Sequence, residues 1–237
     1  MTPRLTVAVD GDEATDALAA EMESAGLSVD ASARVVVVGG PVAGRAALAR
    51  AAVADGRDVF VAWPPGSAAE AEALLAHAEE AGVEVGVERP LATLGPDEPR
   101  RPFRLATVAL AFDGAPEAWP RRLAGALDVA CGLVGTRGAA RLDAEADRDG
   151  ATLRAVAASV RFRNGAYAHV AVRATPGAEG LRIYAGGAEW TLPLAEALGD
   201  EALAFVRAVG AGHRAPVGLH DALATLRLAE RVMAALR

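Results

Sequence analysis

The sequence of 237 residues contains no lysine, so all 24 of its basic residues are arginine. It also contains no glutamine, and asparagine, cysteine and isoleucine each occur once. A genome rich in GC codons is the simplest explanation, but the lost chemistry is the same whatever the cause. Without lysine, the chain cannot form a Schiff base, supply the lysine of a phosphate loop, or use lysine as a general acid.

Residues that form disulfides, metal sites and hydrolase sites are also scarce. The single cysteine, Cys131, excludes a disulfide framework and a multi-cysteine zinc site, and it agrees with a reducing cytoplasm. The four histidines have no spacing typical of metal ligands; they are His77, His169, His213 and His220. None of the five serines lies in a Gly-x-Ser-x-Gly motif, which excludes an α/β-hydrolase site.

What is present is typical of a folded, acidic protein. Hydrophobic residues make up 52% of the sequence and charged residues 23%, which excludes intrinsic disorder. The formal net charge is −7, so we expect no nucleic-acid partner and no attraction to an anionic membrane. No apolar run approaches the about 18 residues of a membrane span, and the start of the chain lacks a signal core. We therefore expect a soluble cytoplasmic protein.

The first part of the chain alternates strands with helices. A capping box, Ser67-Ala-Ala-Glu70, marks the start of one of these helices. The predicted strands are Leu5–Val9, Val35–Val38, Asp58–Trp63 and Val83–Val87. Strands separated by single helices in this way predict a parallel sheet with right-handed crossovers. We therefore predict an α/β domain over residues 1–91.

The pattern changes after a polar, proline-rich connection over residues 92–102. The strands predicted beyond it are Phe103–Phe112, Ala139–Asp147, Ala151–Phe162, Ala166–Ala174 and Gly180–Tyr184. Helices are predicted over Glu117–Val134, Glu201–Val209 and Gly218–Leu236. These elements predict an α+β domain over residues 92–237 with a mainly antiparallel sheet, whose C-terminal helices are free to pack back on the first domain.

Two short turns set the predicted register of the second sheet. Asp149-Gly150 and Asn164-Gly165 are both typical of two-residue hairpin loops. A two-residue loop at Asn164-Gly165 places the following residues on one face: Val156, Ala158, Val160, Phe162, Tyr167, His169, Ala171 and Arg173. Neither face is then clearly polar, and the available helices cover only one. This favours a second subunit on the face that the helices leave exposed, which we expect to carry Val156, Val160, Phe162 and Tyr167. The second subunit is either an identical copy or an intact paralogue.

The order and spacing of several segments resemble the glucose-fructose oxidoreductase, inositol dehydrogenase and MocA family. These segments are Arg34–Pro41, Ala54–Pro64, Glu70–Gly82, Ala204–Gly210 and Asp221–Ala229. The resemblance implies a nicotinamide-binding Rossmann domain, here shortened, followed by an α+β domain whose open sheet makes oligomer contacts. It also implies hydride transfer to or from a carbon of a sugar or polyol.

The sequence departs from this family wherever the chemistry would take place. The family's Glu-Lys-Pro lysine, which assists proton transfer, aligns with Trp63. The family's histidine, aligned through Asp128 and Gly135, falls on Gly125. The Gly-x-Gly-x-x-Gly loop is absent, and Asp10-Gly11-Asp12 follows the first strand, where a pyrophosphate would need N–H donors. We therefore expect the chain to bind no cofactor. If it does bind one, we expect NAD(P).

The first strand can be aligned with the family in two ways. If the first strand–helix unit has been deleted, Leu5–Val9 is the family's second strand and Asp10 is a relic of the ribose-binding acid. If Leu5–Val9 is instead the family's first strand, its glycine loop has been lost. Dinucleotide binding is compromised in both cases.

Three residues remain as candidate ligand contacts. Trp63, at the end of a strand, could stack on a ring or could fill an emptied cofactor cleft. Arg89 could bind an anionic group or form an ion pair. Asp128 matches a family site position but lacks its histidine partner.

Three functions follow from these departures. The first is a non-catalytic relative that acts as a partner subunit or a small-molecule binder. The second is an active NAD(P)-dependent oxidoreductase on a sugar-like or polyol-like substrate. The third is a structural or assembly protein that uses its sheet surface.

Overall fold

The computed structural model describes residues 6–10, 15–39, 42–89, 102–113, 118–192, 198–215 and 218–236, without the side chains of 6–10, 15 and 43. Its contacts divide the chain into two units. The first unit comprises residues 1–89 and 197–223, and the second comprises residues 90–196 and 224–237. Residues 197–223, which we predicted to be part of the second domain, thus belong to the first unit.

The first unit contains a five-stranded parallel sheet in the order β2-β1-β3-β4-β5. Its strands are β1 (Thr6–Asp10), β2 (Ser28–Val29), β3 (Val35–Val38), β4 (Asp58–Val61) and β5 (Val85–Val87). Its helices are α1 (Thr15–Ser24), α2 (Val42–Ala54), α3 (Ala68–Ala81) and, from the end of the chain, α5 (Leu198–Gly210). Every residue of β3 and β4 is buried, as expected for parallel strands covered on both faces. The predicted α/β fold is confirmed; β2 was not predicted, because two residues show no periodicity.

The sheet order agrees with both alignments of the first strand. The Rossmann order is 3-2-1-4-5-6, and removing either its first or its third strand leaves the succession seen here.

Helix α5 completes the core of the first unit. Phe205 of α5 packs on Phe60 of β4 with ring centroids 5.5 Å apart, next to the fully buried Met22 of α1. Gly86 of β5 makes room for this ring, because a Cβ there would lie 2.5 Å from the Phe205 ring. The glycine in this short strand therefore has a packing reason.

The second unit contains a six-stranded sheet in the order β11-β10-β6-β9-β8-β7. Its strands are β6 (Leu105–Phe112), β7 (Ala139–Asp149), β8 (Thr152–Phe162), β9 (Tyr167–Ala174), β10 (Gly180–Ala185) and β11 (Ala188–Leu192). The pairing is antiparallel except between β6 and β9, so the predicted mainly antiparallel sheet is confirmed. Helix α4 (Trp119–Val134) covers one face, and α6 (Leu219–Ala235) contributes its last turns.

The predicted hairpin register is wrong by one residue. Phe162 donates its N–H to the carbonyl of Ala166, so the β8–β9 loop has three residues, with Gly165 at φ +81°. The side chain of Asn164 holds this loop by accepting from the N–H of Ala166 and donating to the carbonyl of Val134. The β7–β8 loop has two residues, as predicted, but it lies one residue later in the chain, at residues 150–151, since Asp149 pairs with Thr152.

The corrected register separates the two faces that the sequence left mixed. Val156, Ala158 and Val160 pair with Val172, Val170 and Ala168, and all six are buried. The opposite, open face of β8 and β9 carries Ala155, Ala157, Ser159, Arg161, Tyr167, His169, Ala171 and Arg173. A one-residue slip moves a whole strand to the other face, which is why Val160 and Phe162 are not exposed as expected.

Candidate functional site

Trp63 follows β4 at the carboxyl end of the parallel sheet and is only 1% exposed. Its backbone N–H donates to a carboxylate oxygen of Glu88 at 2.8 Å, and its bond to Pro64 is cis. Glu88 follows the neighbouring strand β5 and is 2% exposed. This burial is what a residue that fills a cleft requires; that Trp63 fills a vacated cofactor cleft remains a prediction.

A second side chain reaches this turn from α2. The guanidinium of Arg45 donates from Nη1 to the carbonyl oxygens of Trp63 at 2.7 Å and Pro64 at 3.2 Å. Indole has a donor but no acceptor, and a guanidinium stays protonated at any physiological pH. The turn after β4 thus holds a tryptophan beside an arginine, and neither side chain can exchange a proton near neutral pH.

Glu88 was not predicted from the sequence. It is a buried carboxylate at the carboxyl edge of the sheet, where open α/β sheets bind ligands. The sequence signal that could have identified Glu88 is an acid placed immediately after a buried strand. A buried carboxylate requires hydrogen-bond partners. Here the Trp63 N–H is one of them.

Arg89 lies next to Glu88 and is positioned through its backbone. Its N–H donates to a carboxylate oxygen of Glu201 in α5 at 2.7 Å. This bond ties the end of β5 to α5 within the first unit. The expected contact of the Arg89 side chain with an anionic group remains a prediction.

The residues around the start of α1 do not fit the pyrophosphate of a dinucleotide. Asp16 lies in the first turn of α1, and Asp10, Asp12 and Glu13 precede it in the sequence. Residues 11–14 and the side chain of Asp10 lie outside the described residues, so the assignment of Asp10 as a relic remains a prediction. Four carboxylates in this short stretch repel an anion that requires backbone N–H donors and a positive helix end.

Asp30 is a second carboxylate that was not predicted from the sequence. It directly follows β2, about 20 residues beyond the end of β1, which is where Rossmann folds place the acid that binds the ribose. Its Oδ1 accepts the N–H of Ser32 at 2.8 Å and the hydroxyl of Ser32 at 2.7 Å. These hydrogen bonds lower the pKa of Asp30, so the carboxylate stays charged and is held by its own loop.

Asp128 lies in the second unit, where neighbouring side chains hold it. Its Oδ1 accepts from Arg137 Nη2 at 3.0 Å and from the hydroxyl of Thr225 at 3.0 Å. Thr225 is 1% exposed, so this network joins α4, the chain after α4 and α6 in a partly buried position. Gly125, which the resemblance aligned with the family's histidine, is a buried residue of α4 without a side chain.

Cys131 lies one helical turn beyond Asp128 and is 1% exposed. Burial, with a further contribution from the charge of Asp128, raises the pKa of its thiol to about 12. A thiol that stays protonated is a poor nucleophile. Cys131 is therefore a core residue, as its alanine-rich and glycine-rich surroundings indicated.

Metal sites and membrane spans are both absent from the described residues. No group of three or more histidine, cysteine, aspartate or glutamate side chains there could hold a metal ion. Within the same part of the chain, no helix is long and apolar enough to span a membrane.

Comparison with known proteins gives no match by sequence. No protein-family model matches the chain. A search of curated proteins also found no match.

Solved structures, in contrast, match the chain over nearly its whole length. UDP-N-acetylglucosamine 3-dehydrogenase from Acidithiobacillus ferrooxidans has a TM-score of 0.76 at 16% identity, covering 98% of this chain and 97% of that one. GenD2 of gentamicin A biosynthesis, in complex with NAD, has a TM-score of 0.73 at 19% identity, covering 99% and 95%. The aldose-aldose oxidoreductase from Caulobacter crescentus has a TM-score of 0.69 at 14% identity, covering 98% and 97%. The chain therefore has the fold of the glucose-fructose oxidoreductase, inositol dehydrogenase and MocA type of oxidoreductases.

Proposed function

We propose that this chain is a non-catalytic relative of these oxidoreductases and acts as a partner subunit or a small-molecule binder. The observation that carries the proposal is the loss of both proton-transfer groups. In the alignment that the resemblance gives, Trp63 stands at the lysine position and Gly125 at the histidine position, and both residues are buried. Neither residue can accept or donate a proton to a substrate hydroxyl, so a hydride transfer at this site would lack its acid–base partner.

The acidic residues near the start of α1 support the further proposal that the chain binds no dinucleotide cofactor. GenD2 was solved with NAD, but the stretch from Asp10 to Asp16 here opposes a pyrophosphate. The residues do not fit the group, so we derive no reaction step through it.

Titration with NADH and NADPH tests the proposal directly. We expect neither to quench the emission of the three tryptophans saturably at micromolar concentration. GenD2, which was solved in complex with NAD, serves as the positive control. Saturable binding, followed by hydride transfer to any member of a panel of sugars and polyols, would overturn the proposal.

One observation favours the active oxidoreductase as the second candidate. Asp30 provides a carboxylate at the position where Rossmann folds bind the ribose. If NADH binds, Asp30→Ala is expected to weaken that binding, whereas Asp55→Ala, which removes a carboxylate after α2, is the matched control.

The open face of the second unit supports a role as a partner subunit. Arg182, Ala109, Ala171, Ala157 and Glu145 form one row across β10, β6, β9, β8 and β7. Three small side chains thus form the middle of the row, with opposite charges at its ends. Arg182 and Glu145 have no ion-pair partner among the described residues.

We propose that a second copy covers this face. A two-fold axis parallel to the strands and passing over Ala171 places Arg182 against Glu145 of the partner subunit, twice. Leu105, Tyr167 and Tyr184, which are 53%, 45% and 39% exposed, add apolar area. From strand spacings, the face measures on the order of 750 Å² per copy, close to the roughly 800 Å² of a standard interface. A heteromer with an intact paralogue is the alternative, and a purely structural role would use the same face.

A further inference from the structure

The second unit contains a cavity of about 980 Å³ at one end of its sheet, where β6 and β9 end and β8 begins. Its volume lies at the upper end of the range of small-molecule sites. Its lining includes Asp113, Trp119, Asp147, Arg148, Arg173 and Met233.

The cavity brings together charged groups that have no partners. The guanidinium groups of Arg148 and Arg173 form no hydrogen bond or ion pair with any residue that the structure describes, and the same is true of the carboxylates of Asp113 and Asp147. The remaining arginine of the lining, Arg154, is paired with Asp149. Two cations and two anions therefore face the same space.

The sheet register keeps two of these opposite charges apart. Arg173 of β9 and Asp147 of β7 both pair with Ala155 of β8, so they lie on the same face with one strand between them. Two strand spacings separate their backbones by roughly 9.5 Å. In the single chain, the small side chain of Ala155 leaves the space between them open to a ligand. A second copy on the open face would compete with the ligand for this space.

The start of α4 contributes further positive potential. Trp119 and Pro120, its first residues, line the cavity, and the N-cap residue Ala118 provides no side-chain hydrogen bond. The first turn of this 16-residue helix carries no acidic side chain. The positive end of the helix dipole therefore adds to the field of the two arginines.

We propose that this cavity binds a small polyhydroxylated anion, with a sugar phosphate as the simplest example. The anionic group pairs with Arg148 and Arg173, since guanidinium groups bind phosphate and carboxylate through paired hydrogen bonds. The hydroxyl groups donate to Asp113 and Asp147. The site lies wholly within the second unit and does not depend on whether the first unit binds a dinucleotide.

Calorimetric titration of the full chain tests this inference. Glucose 6-phosphate is expected to bind more tightly than inorganic phosphate or glucose. Only this ligand has both an anionic group for the two arginines and hydroxyl groups for the two aspartates. Glucuronate distinguishes a carboxylate ligand from a phosphate ligand. Arg148→Ala and Arg173→Ala are each expected to weaken binding about tenfold or more, the effect of losing a charged hydrogen bond.

Arg207→Ala is the matched control, because it removes one exposed arginine from α5, outside the cavity. Absence of binding of glucose 6-phosphate and glucuronate up to millimolar concentration would overturn the inference. So would binding that neither cavity variant weakens. A third outcome would also overturn the inference: no ligand binds, and Arg173→Ala changes the mass measured by light scattering. Arg173 would then belong to an interface between copies.

Discussion

Among the residues of the candidate site, the position of Trp63 could be predicted from the sequence more readily than the others. The resemblance places Trp63 at a defined position, because a strand ending in proline is a recognisable pattern. Glu88 and Asp30 follow short strands, so an acid after a strand was the only sequence signal for them, and the packed sheet was needed to recognise their positions. Asp128 was found as a candidate, but its hydrogen bonds to Arg137 and Thr225 connect residues far apart in the sequence, which no local pattern predicts.

Trp63→Ala is expected to lower the free energy of unfolding by about 3–5 kcal/mol, because it removes a large aromatic side chain from a buried site. Urea denaturation measures this change. Trp190→Ala, at a partly exposed position in β11, is the control and should cost less. A loss below about 1 kcal/mol for Trp63→Ala, the range of surface substitutions, would contradict the buried role.

Cys131 is expected to make stability depend on pH in the alkaline range. Its pKa is raised from 9.0 to about 12 in the folded chain, so folding favours the protonated thiol. This contribution is fully present below pH 9 and is lost as the pH rises toward 12, by up to about 1.4 kcal/mol per pH unit. Chemical denaturation between pH 8 and 10.5 should show a steeper decline for the natural chain than for Cys131→Ala. Equal slopes would show that the thiol does not contribute.

At the scale of elements, the sequence predicted the type of nearly every helix and strand. The capping box of Ser67 and Glu70 is present, with the hydroxyl accepting from the N–H of Glu70 and the carboxylate from that of Ser67. The hairpin register was predicted wrongly, because Asn-Gly is compatible with loops of both two and three residues. The hydrogen bond from Asn164 to Val134 at the end of α4 selects the longer loop, and it is a tertiary contact.

Gly165→Ala is expected to destabilise the chain by about 1–2 kcal/mol, because φ is +81° at this position of the β8–β9 loop. Gly132→Ala is the matched control. Gly132 lies in α4 without a positive φ, and the position of an added methyl group is open space, so alanine should stabilise the helix by roughly 0.5–1 kcal/mol. Thermal unfolding of both variants measures the difference. Equal effects of the two substitutions would contradict the positive φ at Gly165.

At the scale of the whole molecule, the parallel β6–β9 pair was the main feature beyond sequence reasoning. The two strands are separated by α4, β7 and β8, so their pairing depends on contacts between distant parts of the chain. The covering of one sheet face by a second subunit remains a prediction, but the face concerned is a different one. The face now in question carries the row from Arg182 to Glu145 and not the buried valines of β8.

Light scattering at micromolar concentration is expected to give about twice the mass of one 24.1 kDa chain. Ala171→Glu should reduce it to that of one chain, because the proposed two-fold axis brings two added carboxylates together. Ala47→Glu, on the exposed side of α2, makes the same substitution away from the face and should leave the dimer intact. A natural chain that is monomeric under these conditions would refute the dimer.

The split composition of the first unit has a consequence for how the protein is made. Ala202, Phe205 and Val206 of α5 complete a core whose other buried members come from before residue 89. Roughly a hundred residues separate the two parts, which takes on the order of 10 s to synthesise on the ribosome. During that interval, Phe60 and Met22 lack the helix that covers them. The nascent N-terminal segment therefore cannot complete its core until residues 90–196 have been translated and α5 has followed them.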